Sequence, residues 1–218
     1  MAAKERDARR RVIVAGLGAA TLALSPKAAW ALVATPRQTT GPFYPDKIPL
    51  DHDNDLLTVA GRTEPAAGVP LQVFGRVLNE AGRPVSGARV EIWQCDAYGH
   101  YHHPRDRGGR ADPNFQGYGR TTVDGEGGYR FRTIRPVSYP GRTPHIHFAV
   151  SGPGFEPLTT QMYVAGEPQN ARDGLYNRIR DAAARASVTV ALEPAPDLEP
   201  NGLAGRFDII LGRTLFDG

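Results

Sequence analysis

Short runs in which apolar and β-branched residues alternate or crowd together, each closed by Gly, Pro, Asn or Asp, recur along most of the chain. They fall at residues 71–79, 88–95, 128–134, 145–151, 158–164, 188–192 and 207–211, and such runs between turn residues read as strands. Asp124-Gly125 and the glycines that follow suit a turn with positive φ, which predicts a hairpin between 120–123 and 129–133. Helical spacing occurs only over 173–186, where Leu175, Ile179, Ala182 and Ala183 would share one face. That segment is too short for a second domain, and no internal repeat is present. Residues 32–70 are rich in Pro, Gly, Thr and Asp without periodicity, which predicts an extended arm laid on the domain. The expected fold is therefore all-β: an antiparallel β-sandwich over 71–218 with long loops, an extended N-terminal arm and one short helix.

The N-terminus departs from this pattern. Arg9-Arg10-Arg11 precede a mostly apolar run from Val12 to Leu24, then Pro26 and Ala29-Trp30-Ala31, the layout of an export signal over residues 1–31. Consecutive arginines favour the twin-arginine route and hence a periplasmic destination. The run is shorter than the ~20 apolar residues a bilayer span requires, so no stable membrane anchor is expected. Residues 1–31 hold six of the 26 Lys and Arg and two of the 23 Asp and Glu, leaving 20 basic against 21 acidic residues, a net −1. The basic balance thus belongs to the leader, and with no Lys/Arg block in the remainder a nucleic-acid partner is not expected. Cys95 is the only cysteine, so an intramolecular disulfide is excluded.

The chemistry begins at His145-Ile146-His147. Side chains two apart on a strand point to one face, so two imidazoles can converge on one metal. Tyr139 follows the end of an apolar run, and the six residues from it to His145 reach at most about 20 Å when extended, a reach that Pro140-Gly141 and Thr143-Pro144 shorten. Tyr101, just after another strand, is a further candidate, although spacing alone does not separate it from Tyr98. A phenol with a reference pKa of about 10 becomes a hard anionic donor when a strongly Lewis-acidic cation takes its proton, and two tyrosinates with two imidazoles suit iron(III). Zinc would favour imidazole, thiolate or carboxylate, and copper more imidazole or the thiolate. The cluster of His100, His102 and His103 reads as solvated loop histidines ahead of a second metal site. A reading without chemistry also exists: an exported sandwich module that binds carbohydrate or protein, with Trp93 and the tyrosines as core or stacking platform.

Eight motifs in order carry a resemblance. Ile92-Trp93-Gln94, Tyr101, Asp112-Pro113-Asn114-Phe115, Gly119-Arg120-Thr121, Tyr129-x-Phe131-Arg132-Thr133-Ile134, Tyr139-Pro140, Arg142-Thr143-Pro144-His145-Ile146-His147-Phe148 and Arg206-Phe207-Asp208-Ile209-Ile210 together resemble the intradiol ring-cleavage dioxygenases, most closely the iron-binding type of protocatechuate 3,4-dioxygenase subunit. The resemblance runs from about residue 35 to 213. It implies a non-haem iron(III) held by Tyr101, Tyr139, His145 and His147, which settles Tyr101 over Tyr98. It further implies that Arg142 and Gln161 flank a bound aromatic diol, that Tyr139 doubles as a base, and that both atoms of O2 enter a ring cleaved to a cis,cis-muconate-type diacid. Thr39-Thr40-Gly41-Pro42-Phe43-Tyr44 resembles a family segment that lines the pocket, and a second subunit, identical or different, could complete it. Only Pro140 and Gly141 separate Tyr139 from Arg142, where the family often has a longer loop.

Overall fold

The computed structural model describes residues 32–212, so the export segment expected over 1–31 lies outside the described residues. Among them, no helix is long and apolar enough to cross a membrane. The described strands are β1 (Pro70–Asn79), β2 (Arg89–Trp93), β3 (Tyr118–Thr122), β4 (Gly128–Ile134), β5 (His145–Ser151), β6 (Leu158–Val164), β7 (Thr189–Val190), β8 (Glu193–Pro194), β9 (Leu203–Arg206) and β10 (Ile209–Leu211). They build two sheets. In one, β4 lies antiparallel along β1, whose other edge is shared by β9 and β10; β8 adds to β9. In the other, the order is β3-β2-β5-β6-β7.

Period-two alternation places the core. On β1, Leu71, Val73 and Val77 are buried while Gln72, Phe74 and Arg76 between them are half-buried. They meet Phe131 of β4 and, from the facing sheet, Val90, Ile92, Ile146, Phe148, Val150 and Met162. Burying each such side chain contributes roughly 1.5–3 kcal/mol. Because Ile146, Phe148 and Val150 face this core, His145 and His147 must project from the opposite face of β5. That face would meet water in an ordinary sandwich; here the arm and the loop between β2 and β3 roof it, and both histidines are buried.

The arm is extended, as its composition predicts, and it is stitched to both sheets. Thr35 N–H donates to Ile210 O at 2.9 Å, Gln38 N–H to Thr159 O at 2.8 Å and Leu56 N–H to Arg132 O at 2.8 Å. Arg132 links it again, pairing with Asp55 of the arm at 3.0 Å and with Glu199 at 2.5 Å.

Four expectations are corrected. The sheets are mixed, because β1 runs parallel to β9 and β10, and β6 parallel to β7; alternation marks a strand but not the direction of its neighbour. The hairpin is absent: the turn forms, with Asp124 Oδ1 accepting from the Glu126 and Gly128 amides and Gly127 at φ +77, but β3 pairs with β2 and β4 with β1. The chain thus turns a corner between sheets. The helix expected over 173–186 is two, α1 (Gly174–Arg178) and α2 (Ala182–Ser187), preceded by a 3-10 turn at Pro168–Arg172. Asp173 and Asp181 each cap a separate start, which breaks the run; Ile179 is buried between them, whereas Ala182 and Ala183 are exposed. Finally, the strands expected at 188–192 and 207–211 are shorter, and β8 and β9 were not legible from their sequence pattern.

Candidate metal centre

His145 and His147 stand side by side on β5 with their Nε2 atoms 3.2 Å apart. His145 Nδ1 lies 2.6 Å from Thr143 O, a carbonyl that can only accept, so the ring proton sits on Nδ1 and the Nε2 lone pair faces the site. His147 has no such anchor, for its buried Nδ1 lacks a hydrogen-bond partner among the described residues. Its plane is set instead by stacking on Trp93, centroids 4.8 Å apart and 7° from parallel, since β2 places Trp93 opposite His147 in the register. Burial, reinforced by Arg142, lowers the His145 pKa to about 4; burial and then the neighbouring His145 hold His147 well below its usual value. Both rings are neutral at pH 7, the form that binds metals.

Tyr139 is brought over this pair by a tight turn. Arg142 N–H donates to Tyr139 O at 2.9 Å across Pro140 and Gly141, with Gly141 at φ +82, as a turn with Pro second and Gly third requires. The Tyr139 ring lies 5.5 Å from that of His145 and 5.6 Å from that of Tyr101. Tyr101 is deeper, stacked on Phe43 of the arm at 4.5 Å, and among the described residues its buried hydroxyl meets no hydrogen-bond partner. Burial raises the pKa of both phenols; Tyr139 adds to the rise at Tyr101, while Arg142 opposes it at Tyr139. Gly41, at φ +72, lets the arm pass so close that a Cβ there would sit 3.2 Å from His147 Cε1.

Arg142 and Gln161 join the same site. Arg142 Nη1 lies 3.2 Å from His145 Nε2, Nη2 donates to Gln161 Oε1 at 2.5 Å, and Nε donates to Asp173 Oδ2 at 2.8 Å. Burial weakens the guanidinium's hold on its proton, yet the bond to Asp173 and the charges of Tyr139, Asp173 and Tyr163 together outweigh this and the pKa is raised. Gln161, opposite His147 in the register of β5 and β6, also donates to Thr39 O of the arm at 3.2 Å. Tyr139, Arg142 and Asp173 line a cleft of about 490 Å³ that opens to solvent past Ser138, Gln169 and Arg172.

All four expected ligands and both flanking residues therefore gather in one place. Tyr98 is 68 % exposed whereas Tyr101 is 5 % exposed, so only Tyr101 shares the site. His102 binds Asp112 O at 2.9 Å and His103 faces Asp46 at 3.5 Å; these loop histidines hold backbone in place and do not gather. Among the described residues, no three His, Cys, Asp or Glu side chains are arranged to hold a metal, so a cation here needs phenolate donors. The donor set fits iron(III): two adjacent imidazole Nε2 atoms, a buried phenol without a hydrogen-bond partner among the described residues and a second phenol, which can shed protons in this apolar setting only against a strong cation. Trp93 is 1 % exposed and so offers no surface platform for a sugar.

Sequence reasoning missed Asp173. Its Oδ1 accepts the Leu175 and Tyr176 amides that start α1, while Oδ2 accepts from Arg142 and from Thr143 N–H at 3.0 Å. Asp-Gly ahead of a helical run signals a cap, but nothing local indicates that the second oxygen orients an arginine 31 residues away.

Comparison with known proteins places these features in a lineage. The family described as Dioxygenase matches residues 39–213. The chain is 40% identical over 186 residues to the protocatechuate 3,4-dioxygenase beta chain of Burkholderia cepacia, covering 80% of this chain and 78% of that one. It is 34% identical over 155 residues to a catechol 1,2-dioxygenase of Candida albicans, covering 62% of this chain but only 49% of the relative, about half its length. Among solved structures, the dioxygenase domain of a dioxygenase carbohydrate-binding protein fusion from Streptomyces sp. SirexAA-E superposes with a TM-score of 0.64 at 33% identity, covering 83% of this chain and 99% of that domain.

Proposed function

Since the chain belongs to the intradiol ring-cleavage dioxygenases, we propose that it is a non-haem iron(III) enzyme that cleaves a catechol-type ring between its two hydroxylated carbons. Both atoms of O2 would enter the product, a cis,cis-muconate-type diacid. The observation that carries this reading is the convergence of two neutral imidazoles and two buried phenols beside an arginine at the head of a solvent-open cleft. Tyr101, Tyr139, His145 and His147 would hold the ion. Bound there, iron(III) would supply the Lewis acidity that makes the ring of a vicinal diol reactive toward O2.

The protein's own residues have distinct tasks. Tyr139 is the tyrosine that lines the cleft, so its phenolate oxygen is placed to accept a phenolic proton from an entering diol, whereas Tyr101 stays behind it as a fixed anionic donor. Arg142 offers positive charge where ring electron density turns into negative charge during oxygen attack, and such preorganised stabilisation is strongest where water is excluded. Gln161 and Asp173 hold that guanidinium from two sides, which restricts it to one orientation. Phe43, Trp93 and the arm backbone at Gly41 close the far side and keep solvent from the ring.

The names of the relatives make 3,4-dihydroxybenzoate and catechol the first compounds to offer. Oxygen uptake by the iron-loaded chain with a panel of catechols, and product spectra that separate intradiol from extradiol cleavage, test the reading. A protein that consumes no oxygen with any catechol, or whose metal spectrum no catechol perturbs, would remove it. The iron-loaded protein should be red from tyrosinate-to-iron charge transfer, with the band shifted or bleached in Tyr101→Phe and Tyr139→Phe; a colourless protein with stoichiometric iron would contradict the ligand set. Export to the periplasm through the leader at 1–31 is part of the same proposal, checked by fractionating cells that carry the full chain.

A further inference from the structure

Behind Arg142 and Gln161 a second row of polar side chains backs the candidate centre. Gln161 and Tyr163 sit two apart on β6, opposite His147 and His145 on β5, so they share the face that carries the two imidazoles. Tyr163 is fully buried, its ring edge-on to Tyr176 with centroids 4.9 Å apart. Its hydroxyl has two partners. Gln38 of the arm donates to it through Nε2 at 2.9 Å, and it donates in turn to Gln161 Oε1 at 3.3 Å. The same Gln161 oxygen accepts from Arg142 Nη2, while Gln161 Nε2 donates to Thr39 O. Gln38 is itself tied to β6, since its backbone N–H donates to Thr159 O at 2.8 Å.

The donors run in one direction along this row. A glutamine amide can sit either way round, exchanging a donor for an acceptor. At Gln161 the choice is forced, because Arg142 only donates and the Thr39 carbonyl only accepts. At Gln38 it is set by Leu175 O, 3.4 Å from Nε2, which also only accepts. The Tyr163 proton therefore has one place left, Gln161 Oε1. Gln38 leaves its own Oε1 buried without a partner among the described residues, and such an acceptor opposes folding, so Gln38 serves Tyr163 against its own satisfaction. Burial raises the Tyr163 pKa to about 12, against the pull of Gln38 and Arg142, and the phenol keeps the proton it donates.

Resting on the catechol-cleaving reading, we infer that Tyr163 is a positioning residue for the oxygen step: through Gln161 it sets the Arg142 guanidinium, and Gln38 brings the arm into the same chain. Tyr163 need not touch the substrate. Two donors on one carbonyl oxygen stop the Gln161 amide from turning, and with it the hold on Arg142 opposite Asp173. A guanidinium held on one side only is displaced from the place where charge develops, and small misplacements of that kind slow a reaction.

Two variants cut the chain at different links. Tyr163→Phe keeps the ring against Tyr176 and removes the hydroxyl alone; Gln38→Glu turns a donor into an acceptor and draws the Tyr163 proton away from Gln161. In the iron-loaded full chain, catechol is bound under argon and then mixed with O2 in a stopped-flow cell. Both variants should keep the iron, its colour and the affinity for catechol, while the oxygen step slows by about three- to tenfold, the worth of one hydrogen bond. The double variant should be no slower than Tyr163→Phe, because the chain is already cut. Phenylglyoxal labelling followed by mass spectrometry reads the guanidinium without turnover. Arg142 should label about threefold or more faster in each variant, measured against Arg172, which is exposed on the same cleft wall. Unchanged labelling of Arg142, an unchanged oxygen step in a protein that cleaves catechol, additive slowing in the double variant, or loss of iron and colour together with activity would each overturn the inference. Faster labelling in both variants of a protein that cleaves no catechol would uphold Tyr163 as the residue that sets Arg142 and sink the dioxygenase reading instead.

Discussion

His147 is oriented for coordination by a stacked indole, Trp93, in place of the usual hydrogen bond to its second nitrogen. His145, by contrast, is fixed by the Thr143 carbonyl. Loss of a partner outside the ligand shell typically weakens metal binding 10–100-fold, so His147→Ala, which on the proposed reading removes a ligand itself, should weaken it by more than ~100-fold; iron retained at one equivalent after dialysis would refute the assignment. At Asp173 two jobs can be separated, because Asn keeps the capping oxygen for α1 but not the charge that holds Arg142. Asp173→Asn should keep the iron and its colour while slowing ring cleavage by roughly 10–100-fold, the scale of losing a positioned electrostatic group. Equal loss of colour and activity would instead mark Asp173 as structural. The histidine pair was legible because strand period puts residues two apart on one face; the Asp173–Arg142 pair was not, since it joins a helix cap to a turn across the fold.

At the scale of elements, the arm is the piece on which the site depends most. It supplies Phe43 to Tyr101, Thr39 O to Gln161 and the close backbone at Gly41 to His147. An Ala at position 41 would combine strained positive φ with a crowded Cβ, so Gly41→Ala should destabilise the protein by about 1 kcal/mol or more and loosen iron; a melting temperature and iron affinity both unchanged would show that the arm does not press on His147. Arg132 ties the same arm to the first sheet through Asp55 and to Glu199. The Arg132 hydrogen bond holds the Glu199 carboxyl below its ordinary value of 4.5. A carboxyl depressed in the folded state stabilises the fold above its unfolded pKa and ceases to do so as pH falls through the folded one. Arg132→Ala should therefore lower the denaturation midpoint at pH 7, and the difference from the unmodified protein should shrink below about pH 4; a difference independent of pH would place the loss in packing alone. Extended character was readable from the arm's composition, whereas its path over the face of β5 was not, because a segment without periodicity carries no mark of the surface it covers.

For the whole molecule, the candidate centre lies where the second sheet, the arm, the turn at 139–142 and the segment that starts α1 meet, so a metal bound there would couple to folding. Removing the metal should lower the melting temperature, by roughly 8–16 °C relative to protein with free metal at a thousandfold excess over its Kd, and on heating the charge-transfer band should vanish together with the β-sheet signal. A band lost well before the sheet would mean that the arm and turn open on their own. By itself the sequence determined that the chain is a β-sandwich, because apolar side chains at period two must be buried on one face, and it named the candidate donors, because the residue types and their order are local properties. Only the tertiary structure decided the parallel edges of the sheets, the corner at Asp124 in place of a hairpin, the split of the helix, the choice of Tyr101 over Tyr98 on geometric grounds, and the commitment of Asp173. Each of these depends on which distant segment arrives as neighbour, and burial, hydrogen-bond partners and charge pairing are fixed only when it does.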